Sequence, residues 1–189
     1  MVGIAGALLL LFGLLCLNED RVRAQASTNV AQPGHRSEVV REFNKDGSLH
    51  RITGKVKVLD AHTLAFTDGT EVDLNGVMDA PELEQKARLG DSLYPCGKEA
   101  AEFLKKLIGD QTVSFLSFGD KERRPRGNCY AGETYVQEAM VRNGWAVSGH
   151  SGMDLAQLIA QENKRGLWRG TFVLPVGFPG VRPVPVPGG

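Results

Sequence analysis

The chain has 189 residues, of which 42% are hydrophobic and 23% are charged, as in an ordinary globular domain. These shares exclude a wholly disordered chain and a protein with many membrane spans. Lys and Arg together number 22, and so do Asp and Glu, which excludes a strongly basic chain that coats nucleic acid through its bulk charge. Any contact with nucleic acid therefore needs a local basic patch.

Residues 1–26 are predicted to be a signal peptide. Residues 2–17 are apolar or glycine and carry no charge, and such a run is short for a spanning helix of about 20 residues. The small residues Ala24 and Ala26 then supply a cleavage site. We therefore expect an exported protein, periplasmic or secreted, with no stable membrane association once the signal is cleaved. Because no basic residue precedes the apolar run, an uncleaved N-terminal anchor is the alternative.

Residues 27–50 are predicted to be a polar linker and lead-in, after which strands come first and most helices later. Alternating apolar residues predict the strands, and Thr67-Asp68-Gly69 predicts a hairpin turn. Amphipathic runs that end at a glycine predict the helices. The predicted strands are 51–59, 63–66, 70–74, 112–118 and 127–131, and the predicted helices are 99–108, 135–142 and 154–165. Five short strands and three helices indicate an α+β domain, a small barrel capped by helices.

The C-terminal segment, residues 169–189, is predicted to be a Pro/Gly-rich tail outside the folded domain. Alternating Val and Pro favour an extended polyproline II conformation and cannot continue a packed helix. We expect a solvated tail, and a docking ligand for an aromatic groove is the alternative.

Three short motifs suggest a family. They are Asp79-Ala80-Pro81-Glu82, Gly97-Lys98-Glu99-Ala100-Ala101 and Gly166-Leu167-Trp168. In this order and spacing the chain resembles the thermonuclease (micrococcal-nuclease-like) family over residues 51–168. The resemblance implies a five-stranded oligonucleotide-binding barrel (OB-fold) capped by three helices. It also implies calcium-dependent hydrolysis of phosphodiester bonds in nucleic acid, the activity of a hydrolase.

The resemblance assigns candidate roles to individual residues. Asp79 matches a calcium-binding aspartate, and Glu82 matches a glutamate that acts on the attacking water as general base or as its positioner. Arg124 matches an arginine that holds the phosphate and its developing charge. Carboxylate oxygens suit calcium, and forked guanidinium donors suit the phosphoryl oxygens.

A cluster of basic residues is a candidate for binding nucleic acid. Lys121 matches a basic position near the nucleotide in relatives, and Arg123, Arg124 and Arg126 follow closely. Such a cluster could hold the backbone of single-stranded DNA or RNA. A solvated hairpin loop, partly neutralised by neighbouring acidic residues, is the alternative.

The candidate metal site departs from the family pattern. The family has Asp-Gly-Asp-Thr where this chain has Asp60-Ala61-His62-Thr63, so His62 stands at a calcium-binding position beside Asp60. Neutral imidazole is a poor calcium ligand and a good ligand for zinc or manganese. A divalent metal is therefore expected to be calcium by resemblance, and manganese or zinc if His62 is a ligand.

A second departure affects catalysis. Asp73 stands where the family has an arginine, and no Lys or Arg lies between Lys57 and Lys86. The loss of one such transition-state contact costs about 3–4 kcal/mol, or two to three decades in rate. We therefore expect impaired or metal-altered hydrolysis in an exported thermonuclease-like protein. The alternative is a catalytically inactive OB-fold module that binds nucleic acid or protein.

Cys96 and Cys129 would be the only cysteines left after removal of the signal. In an oxidising compartment they could form a disulfide. Two buried thiols are the alternative.

Overall fold

The computed structural model describes residues 38–74, 76, 78–119 and 124–172. The predicted signal peptide, the predicted linker up to residue 37 and the predicted tail from residue 173 lie outside the described residues. Lys121 and Arg123 of the candidate basic cluster also lie outside them. In the described ranges, no helix is long and apolar enough to cross a membrane.

The described residues form twelve β-strands and three α-helices. The strands are β1 (Val40–Phe43), β2 (Leu49–Gly54), β3 (Val56–Val58), β4 (Thr63–Phe66), β5 (Glu71–Asp73), β6 (Met78–Asp79), β7 (Ala87–Leu89), β8 (Ser92–Tyr94), β9 (Val113–Ser117), β10 (Gly127–Ala131), β11 (Thr134–Tyr135) and β12 (Val147–Ser148). The helices are α1 (Cys96–Ile108), α2 (Val136–Arg142) and α3 (Asp154–Glu162), and short 3₁₀ helices cover Ser151–Met153 and Gly166–Arg169. The α+β class with three α-helices is therefore confirmed.

The strands lie in four sheets. The largest has the order β1-β2-β9-β10-β11, a second has the order β3-β4-β5, and the pairs β6–β12 and β7–β8 form the other two. An isolated parallel bridge joins Asp73 in β5 to Arg126, and the backbone N–H of Asp73 donates to the Pro125 carbonyl at 2.9 Å. Over the residues described, no closed five-stranded barrel is formed as a single sheet, so the barrel stays a prediction.

One hydrophobic core lies between the sheets and the helices. Strands β9 and β10 alternate or nearly alternate buried residues, because successive side chains of a strand point to opposite faces. Leu104 of α1 and Met140 of α2 cover these faces and are fully buried. The largest fully buried side chains include Phe115, Ile52, Leu64, Leu74, Met78, Leu104 and Met140. This core holds the β4–β5 hairpin and β6, which carry the candidate site.

The two described cysteines are free thiols, and both are buried. Cys129 belongs to the main core, whereas Cys96 packs in a separate small cluster with Ala87 and Leu167. The disulfide that the sequence allowed is therefore absent, and the alternative of two buried thiols holds. Burial raises the pKa of the Cys129 thiol to about 12.

Candidate functional site

The loop before β4 brings Asp60 and His62 to the site. Asp60 Oδ1 accepts hydrogen bonds from the backbone N–H of His62 at 2.9 Å and of Thr63 at 2.6 Å. This is the local side-chain turn that aspartate commonly makes with the residues that follow it. The backbone N–H of Leu74 donates to the His62 carbonyl at 2.7 Å, which joins the loop to the end of β5.

The ring of His62 lies among carboxylates from three parts of the chain. Its Nδ1 lies 3.3 Å from Asp73 Oδ1, and its Nε2 lies 3.6 Å from Asp60 Oδ1 and 3.6 Å from Glu82 Oε1. Only 8% of the side chain is exposed. Nε2 is buried and has no hydrogen-bond partner among the described residues, because 3.6 Å is too long for a hydrogen bond. Each of the two ring nitrogens therefore lies within ion-pair distance of at least one carboxylate.

The surrounding charges change the pKa values of the site. Burial alone would lower the pKa of His62, but the Asp73 hydrogen bond and the charges of Asp60, Asp73 and Glu82 outweigh it and raise the pKa above 6.5. Burial raises the pKa of Asp79 to about 6; Glu82 and Asp73 add to this rise, and His62 opposes it. Asp73 and Glu82 therefore raise the pKa of His62 and, with burial, that of Asp79.

Strand β6 and the turn after it place Asp79 and Glu82. Asp79 is buried and pairs with Val147 of β12. The turn that follows Pro81 is closed by a backbone hydrogen bond from Gln85 to the Glu82 carbonyl at 2.9 Å. The Glu82 side chain is 79% exposed, so it reaches His62 from the solvent side. The same motif thus supplies one buried and one exposed carboxylate.

The candidate phosphate clamp Arg124 is engaged by an acidic residue of β5. Its Nη2 donates to Glu71 Oε2 at 2.9 Å, and both side chains are 40% exposed. Glu71 and Asp73 are two residues apart on one strand, so they project from the same face of β5. Arg124 is therefore paired with the strand that also carries Asp73, the carboxylate beside His62. Arg126 forms the β-bridge with Asp73.

The arrangement does not fit calcium. In the part of the chain that the structure describes, no group of three or more His, Cys, Asp or Glu side chains is placed to hold a metal ion. Calcium takes about six to eight oxygen ligands around one point. Here the carboxylates of Asp60, Asp73 and Glu82 each approach a nitrogen of the His62 ring instead.

A comparison with protein families gives a direct match. The model described as staphylococcal nuclease homologue matches residues 71–170, more than half of the 189 residues. The chain belongs to the staphylococcal nuclease family. Members of this family are nucleases that in general depend on calcium, so this chain is of nuclease ancestry. The matched span contains Asp73, Asp79, Glu82 and Arg124, while His62 precedes it. No curated protein matches the chain.

Two contacts of the site were not predicted from the sequence. The pairing of Arg124 with Glu71 joins residues 53 positions apart, and the contact between His62 and Asp73 depends on the pairing of β4 with β5. The signal that could have found both is the spacing of Glu71 and Asp73 on one predicted strand. This spacing places two acidic side chains on the face where the resemblance implies an arginine.

Proposed function

We propose that this protein is an exported member of the staphylococcal nuclease family whose phosphodiester hydrolysis is impaired. The acidic character of the site carries this proposal. Asp73 stands where the resemblance implies an arginine, and it lies 3.3 Å from the His62 ring. A phosphodiester that approached Asp73 and Glu82 would be repelled.

The retained arginine supports the same proposal. Arg124 is paired with Glu71, so a phosphate would have to compete with a carboxylate for the guanidinium. Stabilisation of the developing charge on a phosphoryl oxygen requires donors that are already aimed at it. Asp73 replaces one arginine, and Arg124 is paired with Glu71. We therefore expect hydrolysis to be about 100- to 1000-fold slower than in a site that has both arginines available to the phosphate.

We also propose that the strands make the OB barrel of the family. Strands β2 and β3 are separated by Lys55 alone, and β2 pairs with β9, which pairs with β10. On the other side, β3 pairs with β4 and β4 pairs with β5. The parallel bridge from Asp73 to Arg126 links β5 to the start of β10. These pairings supply every neighbour relation that a five-stranded barrel needs if β2 and β3 count as one bent strand.

Binding without cleavage is the second candidate function. Arg124 and Arg126 lie beside the site, and Lys121 and Arg123 stand within three positions of Arg124 in the sequence. A basic strip on an OB barrel suits single-stranded DNA or RNA, whose backbone it can follow. A protein ligand is the remaining alternative for such a module.

We propose export from the apolar residues 2–17 and the small residues around position 25. The alternative is an uncleaved anchor. The mass of the mature N-terminus distinguishes them, since cleavage after Ala26 leaves Ser27 as the first residue.

A cleavage assay tests the proposed impairment. Single-stranded DNA and RNA are incubated with the purified protein in calcium, manganese, zinc or chelator, beside a Glu82→Gln control. We expect no calcium-dependent cleavage above that control. Cleavage with manganese or zinc that disappears in the control would show an enzyme with an altered metal. Efficient cleavage with calcium would contradict the proposal.

A second variant tests whether the site alone is responsible. The double variant Asp73→Arg, His62→Asp restores the residue types that the resemblance implies at both positions. We expect its calcium-dependent cleavage to exceed that of the wild type by about 100-fold or more. A folded double variant that stays inactive would mean that the barrel itself no longer accepts the substrate.

A further inference from the structure

We propose that the imidazole of His62 takes the place of a metal ion in the acidic cluster of Asp60, Asp73, Asp79 and Glu82, and thereby prevents calcium from binding. This inference deepens the proposed function and rests on it, because it gives a physical reason why the site has left calcium-dependent chemistry. It concerns binding of the ion, so it can be tested without any cleavage.

The position of the ring is the first support. The ring contacts three carboxylates: Nδ1 lies 3.3 Å from Asp73 Oδ1, and Nε2 lies 3.6 Å from both Asp60 Oδ1 and Glu82 Oε1. Nε2 is buried and has no hydrogen-bond partner within the described ranges. A cation that bound the same carboxylates would have to occupy the volume that the ring fills.

The fixed position of the loop is the second support. Asp60 Oδ1 already accepts two backbone hydrogen bonds from the residues that follow it, and the His62 carbonyl accepts one from Leu74. The His62 backbone is thus tied at both its N–H and its carbonyl. A shift of the loop that took the ring out of the cluster would therefore have to break these hydrogen bonds.

Charge balance is the third support. The carboxylates of Asp60, Asp73 and Glu82 approach one ring to within 3.6 Å, and carboxylates brought this close repel one another unless an opposite charge or a proton lies among them. The resemblance implies that in relatives a bound calcium ion supplies this positive charge. Here the imidazole lies among the carboxylates and supplies it from within the chain.

Calcium titration followed by calorimetry tests the proposal on four proteins: the wild type, His62→Asp, His62→Asn and His50→Asp. His50 is an exposed histidine on β2, so His50→Asp makes the same substitution away from the cluster. We expect no binding to the wild type or to His50→Asp at millimolar calcium. We expect His62→Asp to bind with a Kd of about 1 mM or tighter, as open oxygen sites do.

The variant His62→Asn keeps the test informative if His62→Asp does not fold. His62→Asp adds a fifth carboxylate and could unfold without calcium, whereas His62→Asn adds a neutral amide whose oxygen can also ligate calcium. We expect His62→Asn to bind calcium at least about tenfold more tightly than the wild type. Thermal unfolding of each protein with and without calcium gives a second readout, since an ion that binds the folded state raises its Tm.

Several outcomes would overturn the inference. Calcium binding by the wild type as tight as that of the His62 variants would show that the ring does not exclude the ion. If His62→Asp and His62→Asn both fold and both fail to bind calcium, then the ring is not what prevents the ion from binding. Zinc or manganese binding to the wild type that His62→Asn abolishes would make the ring a ligand. Each of these leaves the cleavage result untouched, so the inference and the proposed function can fail separately.

Discussion

His62 and Asp79 both have raised pKa values, and their effects on stability have the same sign. Burial of His62 works against its rise, which comes from Asp73, Asp60 and Glu82, while burial is the main cause of the rise in Asp79. A group whose pKa is higher in the folded state contributes stability below its unfolded pKa, and this contribution is lost as the pH rises through the folded pKa. For Asp79 the loss falls between pH 3.8 and about 6, and for His62 it falls above pH 6.5.

We therefore predict that the protein becomes less stable from pH 5 to pH 8. Thermal unfolding of the wild type, followed by circular dichroism, measures this change. In Asp79→Asn the buried carboxylate is gone, so we expect a higher Tm than that of the wild type at pH 8 and a smaller fall between the two pH values. Equal pH slopes for the wild type, Asp79→Asn and His62→Gln would contradict the prediction.

The sequence proposed candidate members for the site but gave no information on the contacts between them. The resemblance to the family implied the roles of the motif from Asp79 to Glu82 and the replacement of an aspartate by His62. The insertion of the ring between Asp73 and Glu82 could not be predicted, because the direction of a side chain depends on packing from elements distant in the chain. The pairing of Arg124 with Glu71 likewise depends on the bridge between β5 and the segment before β10.

At the scale of elements, helix α1 supports the turn that carries Glu82. A Cβ built on Gly97 would lie 1.9 Å from the Glu82 carbonyl oxygen and 2.7 Å from that of Leu83. The Gly97 N–H also donates to the Gln85 carbonyl at 3.1 Å. The first turn of α1 therefore packs directly on the backbone of this turn, and only glycine permits the approach.

We predict that Gly97→Ala destabilises the protein by about 1–3 kcal/mol, as overpacking does. Alanine favours a helix over glycine by about 0.5–1 kcal/mol, so without the close contact the sign would be reversed. Urea unfolding gives the free energy, and Lys98→Ala, at the next and exposed position, serves as the control with an expected change within about 0.5 kcal/mol. A Gly97→Ala protein as stable as the wild type would contradict the close approach.

Elements with a periodic pattern or a turn motif were predictable from the sequence, and very short strands without either were not. The hairpin of β4 and β5 follows its predicted turn, where Gly69 has a φ of 86°. Strands β6 and β12 have two residues each, too few for a periodic signal, and they form only because they pair with each other. The hairpin of β7 and β8 was missed because its strands have three residues each, too few for a periodic signal.

At the scale of the whole molecule, the folded unit extends beyond the predicted limits of 51 and 168. On the N-terminal side β1 pairs with β2, and Arg41 donates to Thr70 at 2.6 Å and pairs with Asp68. These contacts attach a strand of the predicted lead-in to the β4–β5 hairpin. Deletion of residues 38–50 should therefore weaken the hairpin that holds the site.

The C-terminal side has its own contacts beyond residue 168. The Arg169 guanidinium lies 4.1 Å from the centre of the Tyr94 ring and pairs with Glu99 of α1. Thr171 and Arg88 exchange two backbone hydrogen bonds of 2.8 Å each. Together these contacts fix the end of the chain to the β7–β8 hairpin and to the start of α1.

We predict that a fragment of residues 38–172 is more stable than fragments 51–172, 38–168 and 51–168. Loss of residues 169–172 alone should cost about 1.5–4 kcal/mol, since it removes two backbone hydrogen bonds of about 0.5–1.5 kcal/mol each and a cation–π contact of about 0.5–1 kcal/mol. Urea unfolding of the four fragments measures both losses. Because the two ends contact different elements, their effects should add in fragment 51–168. Equal stability of 51–168 and 38–172 would instead support the limits predicted from the sequence.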